Sequence, residues 1–160
     1  MDKDNKRGIA DSLYLSSSRS TRVSLAGVAS GRYSLSEHRQ NLLLRVPHSG
    51  DYVSLEFESI SVLDLAYLSA KTGDEFALLR SKHEDILFHG TSVNCTFTGE
   101  LEMQIRAGKL TLIGHSHPGE DEPKPSLDDR NFLKEVGQTK SSVISARTGK
   151  VTDYTSNLFD

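Results

Sequence analysis

The chain has 160 residues, a net charge of −3 and a pI near 6.1, which is the length of one ordinary domain with enough chain to bury a core unaided by crosslinks. The weak negative balance argues against a nucleic-acid groove or an anionic membrane surface as the main partner. A single cysteine, Cys95, excludes an internal disulfide framework and fits a reducing, cytoplasmic setting, and neither a bilayer-spanning apolar run nor a signal-peptide core is expected from the hydropathy pattern.

Residues 1 to about 24 are rich in Lys, Arg, Ser and Asp with almost nothing to bury, so 1–30 reads as a mobile tail or pairing arm and 31–160 as the domain. From 31 to 57 the runs YSL, NLLLRV and YVSLEFESI surround the turn-like Pro47-His48-Ser49-Gly50-Asp51 and predict a hairpin. Residues 59–70 group Val62, Leu63, Leu65, Ala66 and Leu68 on one face at helical period, with Ser61 as cap and Gly73 as stop. Short apolar runs at 75–80 and 86–89 around the polar SKHED predict paired strands. Residues 91–106 alternate like a strand, and 109–114 (KLTLIG) form a buried strand leading into two histidines. Ser126 opens a second helix with Leu127, Phe132, Leu133 and Val136 as its apolar face and Gly137 as its stop. A hairpin of 142–146 and 151–154 closes the chain around Arg147-Thr148-Gly149-Lys150. This order of elements predicts an α/β domain built on a mixed β-sheet flanked by helices.

His115 and His117 are one residue apart at the end of a strand. Side chains alternate with period two, so both rings face one side and can converge on a single ion. Pro118 and Gly119 then end the strand and leave the pair at a rim open to substrate. In the S-x-x-D group that follows, Asp129 lies about one turn inside the second helix, where a carboxylate is favoured by the helix dipole. Two histidines and one carboxylate leave a fourth position for water, the pattern of a catalytic rather than a structural zinc ion. Taken singly, H-x-H can be two surface histidines and S-x-x-D a capping box, a reading of Ser126 and Asp129 that is compatible with a metal site.

The string GHSHPGEDEPKPSLDD, with TGDEFALL upstream, resembles the JAMM motif of the JAB/MPN metalloprotease family: H-x-H, a loop, S-x-x-D, and a glutamate opening an earlier strand. The resemblance spans about Ser59 to Tyr154. It implies a JAB/MPN-like, cytidine-deaminase-like fold, Zn2+ held by His115, His117 and Asp129, Glu75 taking the proton from the zinc-bound water, and Ser126 hydrogen-bonding the oxyanion. The implied activity is cleavage of a peptide or isopeptide bond in a protein or peptide substrate, ubiquitin-like conjugates being among the substrate classes the resemblance implies. Eight residues separate His117 from Ser126, one more than the family's usual spacing. The acidic Glu120, Asp121 and Glu122 inside that loop stand as competitors for the metal or as determinants of substrate choice. The short form is similar to bacterial or phage-associated members. An inactive JAB/MPN-like binding scaffold, or a module of a bacterial toxin or phage polypeptide, are the alternatives.

Asp74, Glu84, Asp85 and Glu100 are the other upstream carboxylates that compete with Glu75 for the role of base. His38, His48 and His83 lie in polar loop contexts and read as solvated, whereas His89 reads as a hydrogen-bonded, half-buried residue or a wall of the site. Cys95 reads as a small core residue of a strand.

Overall fold

The computed structural model describes residues 18–158. Helices α1 (Arg19–Ser30) and α2 (Glu37–Arg45) precede strand β1 (Tyr52–Leu55), helix α3 (Val62–Thr72), and strands β2 (Phe76–Arg80) and β3 (Asp85–His89). Helix α4 (Gly99–Arg106), strand β4 (Thr111–His117), helix α5 (Leu127–Val136) and strands β5 (Lys140–Ser145) and β6 (Val151–Thr155) complete the chain. The six strands form one sheet in the order β1-β3-β2-β4-β5-β6. Every neighbouring pair is antiparallel except β4–β5, which is parallel and is joined by α5 as its crossover. This is the mixed α/β domain expected from the order of elements. Among the described residues, no helix is long and apolar enough to cross a membrane.

Alternation along the strands divides the apolar residues between two cores. On one face, Phe76, Leu78, Leu87 and Ile144 pack with Leu65, Ala66 and Leu68 of α3, and with Leu25, Val28 and Leu42 of α1 and α2. On the other, Ala77, Leu79, Phe88, Leu112 and Val143 pack with Leu101 and Ile105 of α4 and Leu133 and Val136 of α5. Helix α3 is fixed at both ends by its own sequence. Ser61 and Asp64 form a capping box, Asp64 also holds Arg39 at 2.8 Å, and Gly73 closes the helix at φ 81°.

Three segments differ from the sequence reading. The tail or arm expected over 1–30 is helical from Arg19 onward, while residues 1–17 lie outside the described part. Ser18 caps α1 by accepting from Thr21 N, and Leu25 and Val28 are buried against α3. Two apolar residues spaced i, i+3 suffice for a helix face, and the surrounding Ser and Arg conceal so sparse a stripe. The run NLLLRV is the second half of α2 rather than a hairpin strand. Ser36 accepts from Arg39 N at its start, and Leu42 is buried while Leu44 is 75% exposed, a one-sided burial that consecutive leucines do not disclose. Only 52–55 of the third expected run is a strand, and its partner is β3. Finally, 91–106 is a loop followed by α4. Gly99 (φ 58°) opens the helix, and Leu101 and Ile105 are buried at i, i+4, so the apparent alternation ends where a helical period begins.

The join between β2 and β4 decides which way the histidines point. Leu79 pairs with Leu112, but Leu78 pairs with Gly114, so Ile113 is an extra residue in β4, a β-bulge. Leu110 and Leu112 belong to the α4–α5 core and Ile113 packs in the α3 core. With strict alternation His115 and His117 would follow Ile113 and lie under α3. The bulge reverses the parity and delivers both to the opposite face, beside Ala77 and Val143. Gly114 makes this possible, because a Cβ there would lie 2.8 Å from Val62 Cγ1 and 3.2 Å from the Ser142 carbonyl oxygen. A side chain at 114 would therefore push α3 away from the sheet.

Candidate metal centre

Ala77 lies directly across from His115 in the antiparallel β2–β4 ladder, so the register places Glu75, two residues earlier, opposite His117 and on the same face. The ladder is held there by a buried hydroxyl, Ser116 Oγ, which accepts from Phe76 N at 2.9 Å. The backbone of Glu75 is fixed on its other side: its N–H donates to the Thr91 carbonyl and its carbonyl accepts from Gly90 N, each at 2.7 Å. Glu75, His115 and His117 are all buried, and one ligand atom from each lies within 4.8 Å of the others. This group could hold a metal ion.

Asp129 reaches the same point from the start of α5. Ser126 and Asp129 form a reciprocal capping box, with Asp129 N donating to Ser126 Oγ at 3.0 Å and Ser126 N donating to Asp129 Oδ2 at 2.8 Å. The same Oδ2 faces His115 Nε2 at 3.2 Å and His117 Nε2 at 3.5 Å, and the two Nε2 atoms are 3.1 Å apart. Four-coordinate zinc with ordinary ligand distances sets its donor atoms about 3.3 Å from one another. The triangle of Nε2, Nε2 and Oδ2 has that size, which fits a tetrahedral ion of this kind. Two carboxylates thus flank the histidine pair: Asp129 in contact with both rings, and Glu75 within the wider 4.8 Å grouping.

The electrostatics follow from this crowding. Burial pushes Glu75 up to about 7, against the opposing pull of His115 and His117. Burial opposes charge on His117, yet hydrogen bonds to Asp129 and Glu120 and the fields of Glu75 and Asp129 outweigh it and raise the imidazole to about 9. For Asp129 burial again opposes ionisation, and hydrogen bonds from the two histidines and from Ser126 N hold it far below the usual carboxylate range. Asp129 and His117 are therefore held as an ion pair, with Glu75 beside them poised to gain or lose a proton near neutral pH.

A cavity of about 300 Å3 adjoins these residues. Glu75, His115 and Asp129 form one wall, and Cys95, Phe97, Phe132 and Tyr154 supply much of the remainder. The Tyr154 ring stands edge-on to His115 with centroids 6.2 Å apart. Cys95 lies in the loop before α4 rather than in a strand, and it lines this cavity. Burial first, and then the nearby carboxylates Glu75 and Asp129, raise its thiol well above the ordinary range, which disfavours a nucleophilic thiolate.

The other upstream carboxylates are occupied elsewhere. Asp74 pairs with the buried His89 at 2.8 Å, whose Nδ1 contacts the Val46 carbonyl oxygen at 2.7 Å and whose ring stacks on Phe76. Asp85 binds Arg80 and the backbone of Ile60, and Glu100 binds Gln104. Glu84 lies in the β2–β3 turn. Glu75 is thus the upstream acid that the fold brings to the histidines, and His89 is a buried tie rather than a wall of the site. His38, His48 and His83 are exposed. Ser126 is also exposed, and its oxygen accepts from Asp129 N, which leaves its O–H to be donated. Glu120, expected as a competitor for the metal or a determinant of substrate choice, makes a contact that the sequence reading did not include: its Oε1 lies 3.1 Å from His117 Nδ1. The i, i+3 spacing within HPGE is the only local signal for that contact. No family model, curated protein or solved structure matches the chain.

Proposed function

We propose that the protein is a zinc-dependent metallohydrolase of the JAB/MPN type, cleaving a peptide or isopeptide bond. The observation that carries this reading is the triangle of His115 Nε2, His117 Nε2 and Asp129 Oδ2, whose edges of 3.1, 3.2 and 3.5 Å suit three ligands of a tetrahedral ion. Zinc bound there supplies a Lewis acid that makes water a nucleophile near neutral pH. Glu75 supports the assignment of a general base, since it is buried on the same face, has no part in a competing ion pair on the protein surface, and lines the cavity where a substrate carbonyl would sit. In the proposed step Glu75 accepts a proton as water oxygen bonds to the carbonyl carbon, and it returns that proton to the nitrogen as the C–N bond breaks. Ser126, whose hydroxyl proton is uncommitted to its cap, donates to the oxyanion. The apolar surfaces of Phe97 and Phe132 suit the side chain next to the scissile bond.

Metal removal tests the proposal. Purified protein is expected to contain about one zinc ion per chain. Chelation followed by dialysis should abolish hydrolysis of peptides and of a lysine-linked isopeptide, and added zinc should restore it. Protein that takes up no zinc, or hydrolysis indifferent to its removal, would favour a binding scaffold instead.

A further inference from the structure

The acidic loop between the second histidine and α5 is tied to the β5–β6 hairpin by a set of contacts. Ser145 Oγ donates to the Glu120 carbonyl, and Thr148 Oγ1 donates to the Asp121 carbonyl at 2.8 Å. Asp121 pairs with Arg147 at 2.9 Å, and Glu122 pairs with Lys150. The strap is anchored next to the histidine itself, because Ser145 is the β5 partner of His117 and Ala146 N donates to the His117 carbonyl at 3.0 Å. Two of the three acids are thereby matched with cations of the hairpin. The third, Glu120, keeps 48% of its side chain exposed but reaches His117: its Oε1 accepts from Lys124 N at 3.2 Å and lies 3.1 Å from His117 Nδ1.

We infer that Glu120 is a positioning residue for the metal centre, fixing the His117 ring and its tautomer so that Nε2 presents a lone pair toward His115 and Asp129. A carboxylate at Nδ1 requires a proton on that nitrogen, and a neutral imidazole protonated at Nδ1 is unprotonated at Nε2. Outer-sphere partners of this kind orient a ligating histidine and raise its basicity. Glu120 therefore serves the site from behind its ligand instead of competing for the ion.

This inference rests on the zinc reading, and the two fail differently. Zinc affinity would be measured on the metal-free full chain against a competing chelator for the parent, Glu120→Ala, Glu120→Gln and Asp121→Ala, with thermal unfolding of each metal-free protein alongside. Glu120→Ala is expected to weaken zinc about 10- to 100-fold. Glu120→Gln, whose amide oxygen can still accept from Nδ1–H, should recover part of that loss. Asp121→Ala, which loosens the strap without touching His117, should bind as the parent does, and the cobalt(II) absorption spectrum should change in Glu120→Ala alone. Parent-like affinity in Glu120→Ala overturns the inference, as does an equal loss in Asp121→Ala, which would make the strap a merely structural brace. A parent protein that binds no zinc overturns the metal reading itself and this inference with it.

Discussion

Glu75→Gln is expected to keep its zinc and to lose hydrolysis by about 10^2- to 10^4-fold, the range over which a positioned general base contributes. Glutamine preserves the volume and hydrogen-bonding capacity of a buried side chain, so the fold around β2 has no reason to change, but the amide cannot accept a proton at neutral pH. The split between binding and turnover is the informative part. Glu75 belongs to the group of three residues that could hold an ion, and if it were a ligand the same substitution would weaken zinc as well. A carboxylate that acts on water, by contrast, leaves affinity nearly unchanged. Metal content and turnover measured on the same preparation separate these cases, and Asp74→Asn serves as a neighbouring control because Asp74 is engaged with His89.

Asp129→Ala is expected to cost both metal and helix. Zinc content should fall well below one per chain, since two histidines alone make a weak site. The metal-free protein should also lose about 1 kcal/mol from the broken capping box. Asp129→Asn divides the two effects, because its side-chain oxygen can still accept from Ser126 N while its neutral amide is a poor zinc ligand. The pH dependence has a definite sign. The depressed carboxylate stabilises the metal-free fold above its ordinary pKa of 3.8, and that contribution is lost as pH falls. His117, raised from 6.5 to about 9, contributes stability that is complete below 6.5 and is lost as pH rises through 9. The Asp129–His117 pair therefore stabilises the metal-free protein most between about pH 4 and 6.5, and chemical denaturation of parent and Asp129→Asn from below about pH 4 to about pH 9 should show the parent's advantage shrinking on both sides of that window.

Much of the site was legible because its residues are local in sequence. His115 and His117 share a face through the period of a strand, and Ser126 and Asp129 meet through the first turn of a helix. What the linear pattern could not contain is the bulge at Ile113, which selects the face, since a one-residue slip is a property of pairing between β2 and β4. Nor could it choose between Asp74 and Glu75. That choice is made by His89, which takes the first and leaves the second for the histidines. The helices α1 and α2 were concealed for a different reason: each buries only a few residues, and local patterning is weak where tertiary contacts with α3 supply most of the stabilisation. Val93, Cys95 and Phe97 in the loop before α4 alternate as they would in a strand, yet the segment pairs with none, so the placement of Cys95 and Phe97 in the cavity wall depends on packing that the sequence alone does not express.

The central claim is that His115, His117 and Asp129 bind zinc while Glu75 stands outside the coordination sphere. An anomalous difference map at the zinc edge, from crystals of the zinc-loaded protein, tests it most directly. The expected result is one peak per chain at about 2.0–2.2 Å from both Nε2 atoms and from Asp129 Oδ2, with the Glu75 carboxylate too far away to ligate. A peak bonded to Glu75 in place of Asp129, or no peak between the histidines, would contradict it.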